Sequence, residues 1–191
     1  MNRDKLPHML TLGVIADTHV PDRARSLPTK AIATFEEAEV TAILHAGDIS
    51  LPKVLTQLEG IAPVYAVRGN RDIFGFKDLP RHRHLSFEGV TIGMTHGHGS
   101  WGEYFREKIT YLFRGPTKFS RFEEIALRIF PDARVVILGH NHAPTNHWEG
   151  EQLVFNPGSA NCPNDYFPDL PPSVGLLHVN GKHVQGEIVF I

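Results

Sequence analysis

The sequence is poor in sulphur. One cysteine, Cys162, stands among 191 residues, which excludes an intrachain disulfide and fits a reducing compartment. Long apolar runs are missing. No stretch approaches the roughly 20 residues of a membrane span, and the opening MNRDKLPHML has no apolar signal core. The chain therefore reads as cytoplasmic, with no membrane partner. Neither sign of charge is in excess. The net charge is −2, which gives no evidence for nucleic-acid binding by bulk charge. Repeats, low-complexity tracts and interdomain linkers are absent, so residues 1–191 are expected to form a single domain. What the chain does have is histidine, twelve in all, and their positions matter more than their number.

Apolar runs recur at LTLGVIA (10–16), TAILHA (41–46), IAPVYAV (61–67), VTIGMT (90–95) and RVVILG (134–139). Most are nearly continuous, as expected of strands buried on both faces. Helical patterns lie between the first three. Residues 28–38 start at Pro28 and put Ile32 and Phe35 on one face; residues 51–58 group Val54, Leu55 and Leu58. This is a βαβαβ order and an α/β sheet. Residues 99–130 read as helical and aromatic-rich. Ser120 and Glu123 match a capping box there, with Phe122, Ile125, Ala126 and Ile129 as the apolar face. Beyond residue 143 the pattern turns to hairpins. Glu149-Gly150 divides one, and Asn180-Gly181 signals a type I′ turn in the other. These strands predict a second sheet or an antiparallel extension of the first. The Pro-rich stretch 161–173 reads as a loop.

The residues that follow the runs carry the chemistry. LGVIA leads to Asp17 and His19, ILHAG to Asp48, VYAVRG to Asn70, IGMT to His96, and VVILG to His140 and His142. In open α/β sheets, ligands bind at these C-terminal strand ends. Residues i and i+2 of an extended segment point to one side, so Asp17/His19 and His140/His142 are each expected to converge. Oxygen and imidazole donors without thiolate suit Mn²⁺, Fe²⁺, Zn²⁺, Co²⁺ or Ni²⁺. Seven donors exceed the needs of one tetrahedral ion and suit two ions sharing a carboxylate and a water, a clamp for in-line phosphoryl displacement. Taken singly, each has an ordinary explanation, as a helix cap, a turn residue or a buried hydrogen-bonded imidazole.

The ordered motifs IADTHVP, LHAGDI, RGNRD, THGHG, LGHNH and NPGSAN, spanning residues 14–161, resemble the calcineurin-like metallophosphoesterase superfamily. The resemblance is to its small bacterial and archaeal phosphodiesterase branch. It implies a four-layer α/β/β/α sandwich, two facing mixed β-sheets flanked by helices. It also implies two divalent ions per chain, with Mn²⁺ the first choice. Asp17, His19, Asp48 and His142 would hold one ion. Asp48, Asn70, His96 and His140 would hold the other, with Asp48 bridging. The implied activity is hydrolysis of a small phosphodiester or nucleotide by in-line attack of a metal-bridging hydroxide, with His19 stabilising charge on the non-bridging oxygens.

Arg71 departs from that pattern, which has histidine or cysteine after the asparagine in many relatives. Arginine does not give up a proton at neutral pH but binds a phosphate oxygen well. Arg71 is therefore expected to anchor the substrate phosphate, with Asp72 orienting its guanidinium. The alternative is that it points away to a surface carboxylate. Leaving-group protonation would fall to His98, to a metal-bound water, or to no group if the leaving group is good. His45 is expected to pack rather than ligate. His8, His82, His84, His147, His178 and His183 are expected to be solvated or pairing, and NPGS (156–159) to shape the site floor. Trp101, Tyr104, Phe105, Tyr111 and Phe113 read as core or as the contact of a homo-oligomer, with a nucleotide-stacking wall as the alternative. Two rival functions remain. One is a non-catalytic protein-binding scaffold like the retromer subunit of this fold, although the ligand set here is intact. The other is a phosphomonoesterase.

Overall fold

The computed structural model describes residues 9–73, 76–99, 102, 120–161 and 168–191. The five apolar runs become strands β1 (Leu10–Ile15), β2 (Ala42–His45), β3 (Val64–Ala66), β5 (Val90–Thr95) and β6 (Val135–Ile137). Helices α1 (Thr29–Glu37) and α2 (Pro52–Glu59) fill the first two crossovers. Pro52 opens α2 at a position where its missing N–H has no intrahelical partner to lose. Strand β4 (His82–Phe87) precedes β5. The late strands are β7 (Thr145–Glu149), β8 (Gln152–Asn156), β9 (Ser173–Asn180) and β10 (His183–Phe190).

These strands form two five-stranded mixed sheets, in orders β10-β9-β1-β2-β3 and β4-β5-β6-β8-β7. The late strands serve both sheets. Hairpin β9–β10 extends the first sheet antiparallel to β1, and β7–β8 completes the second, with β8 parallel to β6. Strand β4 and its hairpin to β5 form an element the apolar runs did not announce. Its residues alternate between exposed and half-buried, and Glu88-Gly89 makes the turn with both residues at positive φ, 48° and 83°. The turn at 180–183 is a correction. Asn180 pairs with His183, so Gly181-Lys182 is central, and only Gly181 has positive φ (58°). That is the type II′ pattern rather than I′.

The sheets face each other across one core, with Leu12, Val14 and Leu44 from the first against Ile92, Ile137 and Phe155 from the second. Alternate residues point outward. Ile15 and Ile43 pack with Phe35 of α1 and Leu58 of α2. Val136 and Val154 pack with Phe122 and Ala126 of α3 (Ser120–Ile129). The result is the expected layering of helices outside two sheets. Close docking needs glycine twice: a Cβ at Gly13 would lie 2.9 Å from the Phe35 ring, and one at Gly93 would fall on the Phe130 ring. Ser120 begins α3 as a helical residue, and Glu123 accepts a hydrogen bond from Thr145 Oγ1 (3.4 Å), which differs from the capping box read in the sequence. No helix among the described residues is long and apolar enough to cross a membrane. Cys162 and the aromatic set 101–113 lie outside the described residues.

The flanks of the sandwich are joined by side chains. Arg83 Nε of β4 donates to the Ala66 carbonyl of β3 (2.8 Å), and Asn146 Nδ2 of β7 donates to the Gly186 carbonyl of β10 (2.7 Å). Facing the sheets in this way brings the C-terminal ends of β1, β2 and β3 against those of β5, β6 and β8.

Candidate metal centre

The loops leaving these strand ends interlock through their backbones. Asp17 N–H donates to the Gly47 carbonyl (3.0 Å) and His19 N–H to the Asp48 carbonyl (3.1 Å). Within the second sheet, Gly139 N–H reaches the His96 carbonyl (3.3 Å), and across the sheets His140 N–H donates to Asp17 Oδ2 (2.9 Å). Glycines before the polar residues permit the contact: a Cβ on Gly69 would fall on Asp48 Oδ1.

The convergence of Asp17 with His19 and of His140 with His142 is real for the first pair, but its cause is not extended backbone. Asp17 (φ 51°), His19 (46°), Asp48 (55°), His140 (75°) and His142 (56°) all occupy the left-handed region. Asp and His enter that region more readily than most residues. These turns, and not a period of two, aim the side chains.

Asp17, His19 and His142 place one donor atom each within 4.8 Å of one another, and so do Asp17, Asp48 and His96. Asp17 Oδ1 lies 3.5 Å from His142 Nε2, 3.7 Å from His19 Nε2 and 4.0 Å from His96 Nε2. Asp48 faces both groups, with Oδ2 3.8 Å from His19 Nε2 and Oδ1 3.4 Å from His96 Nε2. Asn70 Oδ1 lies 3.1 Å from His96 Nε2. His140 belongs to neither group. Its ring stands 5.1 Å from that of His96 and packs edge-on against Phe122.

Charge and hydrogen bonding favour a cation here. His96 Nδ1 is 2.8 Å from the Ala46 carbonyl. A carbonyl only accepts, so Nδ1 carries the hydrogen and Nε2 faces the carboxylates. Asp17 Oδ1 is buried and makes no hydrogen bond of ordinary length. Burial alone would raise the Asp17 carboxyl, yet His142 and His96 hold it below its ordinary value. Burial likewise opposes ionisation of Asp48, while the charge and hydrogen bond of His96 and the N–H of Arg71 hold it low. Burial pulls His96 down, but Asp48 and then Asp17 push it up to about 10. Burial, and then His96, push His98 and His140 down to about 3. His19 is lowered chiefly by burial. A buried pair of carboxylates ringed by imidazole nitrogens, with one oxygen unbonded, is a donor set that fits divalent ions of intermediate softness.

The remaining residues sort clearly. His45 is buried, lowered to about 3 by desolvation, and not a donor to the centre. Its Nδ1 accepts the Gly47 N–H (3.2 Å), so Nε2 carries the hydrogen toward Thr18 Oγ1 (3.2 Å). Arg71 donates its backbone N–H to Asp48 Oδ1 (2.9 Å) and its side chain is exposed. Among the described residues its guanidinium makes no ion pair. Asp72 does not orient it. That carboxylate is buried and spent on the backbone N–H groups of Ile49, Ser50 and Gly69. His98 is buried beside His96, ring centroids 5.4 Å apart. His82, His147 and His178 pair with Thr95, Glu123 and Glu187.

The bonds beneath the centre agree with the expectation that NPGS (156–159) shapes the site floor, while Asn141 and Asn161 were not singled out in the sequence. Asn156 Nδ2 donates to Asn141 Oδ1 (2.7 Å) and the Gly139 carbonyl (3.2 Å). Ser159 Oγ donates to the Asp17 carbonyl (2.8 Å), and Asn161 Nδ2 to the Thr18 carbonyl (2.7 Å). The stretch NPGSAN thus ties the loop of Asp17 to that of His140. The run of amide and hydroxyl residues after β8 was the available signal.

Comparison with known proteins places these features in a family. The model of the calcineurin-like phosphoesterase superfamily domain matches residues 10–182. A probable metallophosphoesterase of Methanothermobacter thermautotrophicus is 36% identical over 180 residues, covering 94% of this chain and 92% of that protein. Among solved structures, Vacuolar Protein Sorting 29 from Cryptosporidium parvum superposes with a TM-score of 0.71 at 20% identity, over 96% of this chain and 99% of that one. A novel archaeal phosphodiesterase superposes at 0.63 with 22% identity, over 94% and 100%.

Proposed function

The chain belongs to the calcineurin-like phosphoesterase superfamily, and from that premise we propose that it is a dinuclear metal-dependent phosphoesterase acting on small, nucleotide-like phosphodiesters. Asp17, His19, Asp48 and His142 would hold one ion and Asp48, Asn70, His96 and His140 the other, with Mn²⁺ as the metal. The observation that carries this reading is the buried meeting of Asp17 and Asp48 with the Nε2 atoms of His19, His96 and His142, all at 3.4–4.0 Å. Bound there, the ions would supply an activated water and positive charge for the phosphoryl oxygens.

The protein's own residues would do the rest. Arg71, exposed and one position from Asn70, would bind a non-bridging phosphate oxygen through parallel N–H groups. His98, whose ring lies 5.4 Å from that of His96, stands outside the proposed ligand set and would face the leaving group. The intact donor set argues for catalysis over a scaffold. The fold shared with Vacuolar Protein Sorting 29 keeps the scaffold as the outcome of a failed assay.

The test is chelation, reloading with Mn²⁺, and assay across bis-p-nitrophenyl phosphate, p-nitrophenyl phosphate and 2′,3′-cyclic nucleotides. Diester turnover that requires metal and disappears in Asp48→Ala is expected. Turnover of monoesters alone would make the protein a phosphomonoesterase. Silence with Mn²⁺, Ni²⁺, Co²⁺, Fe²⁺ and Zn²⁺ would favour the scaffold.

A further inference from the structure

Asp72 has no place in the chemistry above, and it is 1% exposed. A carboxylate so buried needs compensation. Its compensation is wholly backbone. Oδ1 accepts the N–H groups of Ile49 (2.8 Å) and Ser50 (2.8 Å), and Oδ2 accepts that of Gly69 (2.8 Å). The first two donors follow Asp48 directly, and the third precedes Asn70. Ser50 has φ 72° after Asp48 at 55°, and the N–H groups of residues 49 and 50 converge on one oxygen, a small anion-binding concavity.

A second carboxylate returns the contact. Asp48 Oδ1 accepts the N–H of Arg71 (2.9 Å). Each of the two loops therefore sends a carboxylate into the other's backbone. Four charge-assisted bonds span a few residues, and each exceeds an ordinary neutral bond in strength. The side chains between them, Asp48 and Asn70, are the ones whose spacing governs one ion site.

We infer that Asp72 is a positioning residue: it clamps the loop after β2 to the loop after β3 and thereby fixes the separation of Asp48 from Asn70. The inference rests on the metal-centre reading. It assigns Asp72 a task different from orienting Arg71, whose side chain is exposed. The site of Asp17, His19 and His142 shares Asp48 with the other, but its remaining donors lie outside the clamp, so it depends on the clamp less.

The test compares metal-free wild type with Asp72→Asn in the full chain. An amide can offer its oxygen to Ile49 and Ser50 or to Gly69, but not to both, since its NH₂ then meets an N–H. Titration with Mn²⁺ should show one of two binding events weakened by roughly 10–100-fold, the usual scale for groups supporting a ligand, and the other changed far less. The electron paramagnetic signature of a coupled Mn²⁺ pair should be lost. Equal affinities and an intact pair signal, alongside a lower melting temperature, would overturn the proposal and leave Asp72 a stabilising residue only.

A second measurement needs no variant. Amide hydrogen exchange of Ile49, Ser50 and Gly69 in metal-free wild type should be slow. Slow exchange in a protein that binds no pair of ions would sink the metal-centre reading and the inference with it. Fast exchange in a protein that binds the pair normally would sink the clamp alone.

Discussion

Asp and His at positions 17, 19, 48, 140 and 142 combine two properties. Residues of these types can donate to metals, and they tolerate a left-handed backbone that costs most residues about 1–2 kcal/mol each. The sequence made the first property legible and hid the second. Each polar residue after an apolar run was visible as a candidate donor, while the dihedral angles that turn them together are set by bonds to distant loops, such as His140 N–H to Asp17 Oδ2. Asp72 illustrates the same limit. Beside Arg71 in sequence, it looked like that residue's ionic partner, and only the fold brings Ile49 and Ser50 within its reach. Arg71 carries a prediction of its own. Arg71→Ala should raise KM for a diester by roughly 10–100-fold, the worth of about 1.5–3 kcal/mol for hydrogen bonds to a charged group, with kcat little changed. A large fall in kcat at constant KM would contradict phosphate anchoring.

At the scale of elements, strands buried on both faces were the easiest to foresee. The runs at 10–16, 41–46 and 134–139 have too few polar positions to face water, and β1, β2 and β6 are buried almost throughout. Strand β4 was hidden because it is an edge. Its alternation of half-buried and exposed residues puts His82, His84 and Ser86 outward, and these look like loop residues in a list. The division of the late hairpins between two sheets was equally illegible, since both hairpins have the same local pattern and differ only in which edge accepts them. Docking of α3 draws, beside Phe122 and Ala126, on an aromatic ring just past its end, seated where a strand has no side chain. Phe130 is 1% exposed and lies over Gly93. Phe130→Ala should destabilise the fold by about 3–5 kcal/mol, read as a shifted midpoint in urea at constant slope. A loss under about 1 kcal/mol would mean that the helix is held elsewhere.

For the whole molecule, the metal-free protein should be most stable near neutrality and weaken on both sides. His45, His98 and His140 are held down to about 3. A depressed imidazole contributes stability that is complete above its unfolded value of about 6.5 and lost as pH falls toward 3. His96 is raised to about 10. Its contribution is complete below about 6.5 and lost as pH rises through 10. Urea unfolding of chelated protein between pH 3 and 10 should trace this dome, and saturating Mn²⁺ should flatten the alkaline limb by replacing the proton on His96. Chelated protein as stable at pH 9.5 as at 6.5 would contradict the electrostatic balance at the centre. The order in which the sheets close also bears on how the protein is made. Strand β1 takes one neighbour from residues 42–45 but the other from residues 173–180, and Asp17 is braced by Ser159. A chain emerging from the ribosome must therefore carry its first strand half-paired until residues 173–180 have been made, so the end of the sheets that bears Asp17 can take shape only then.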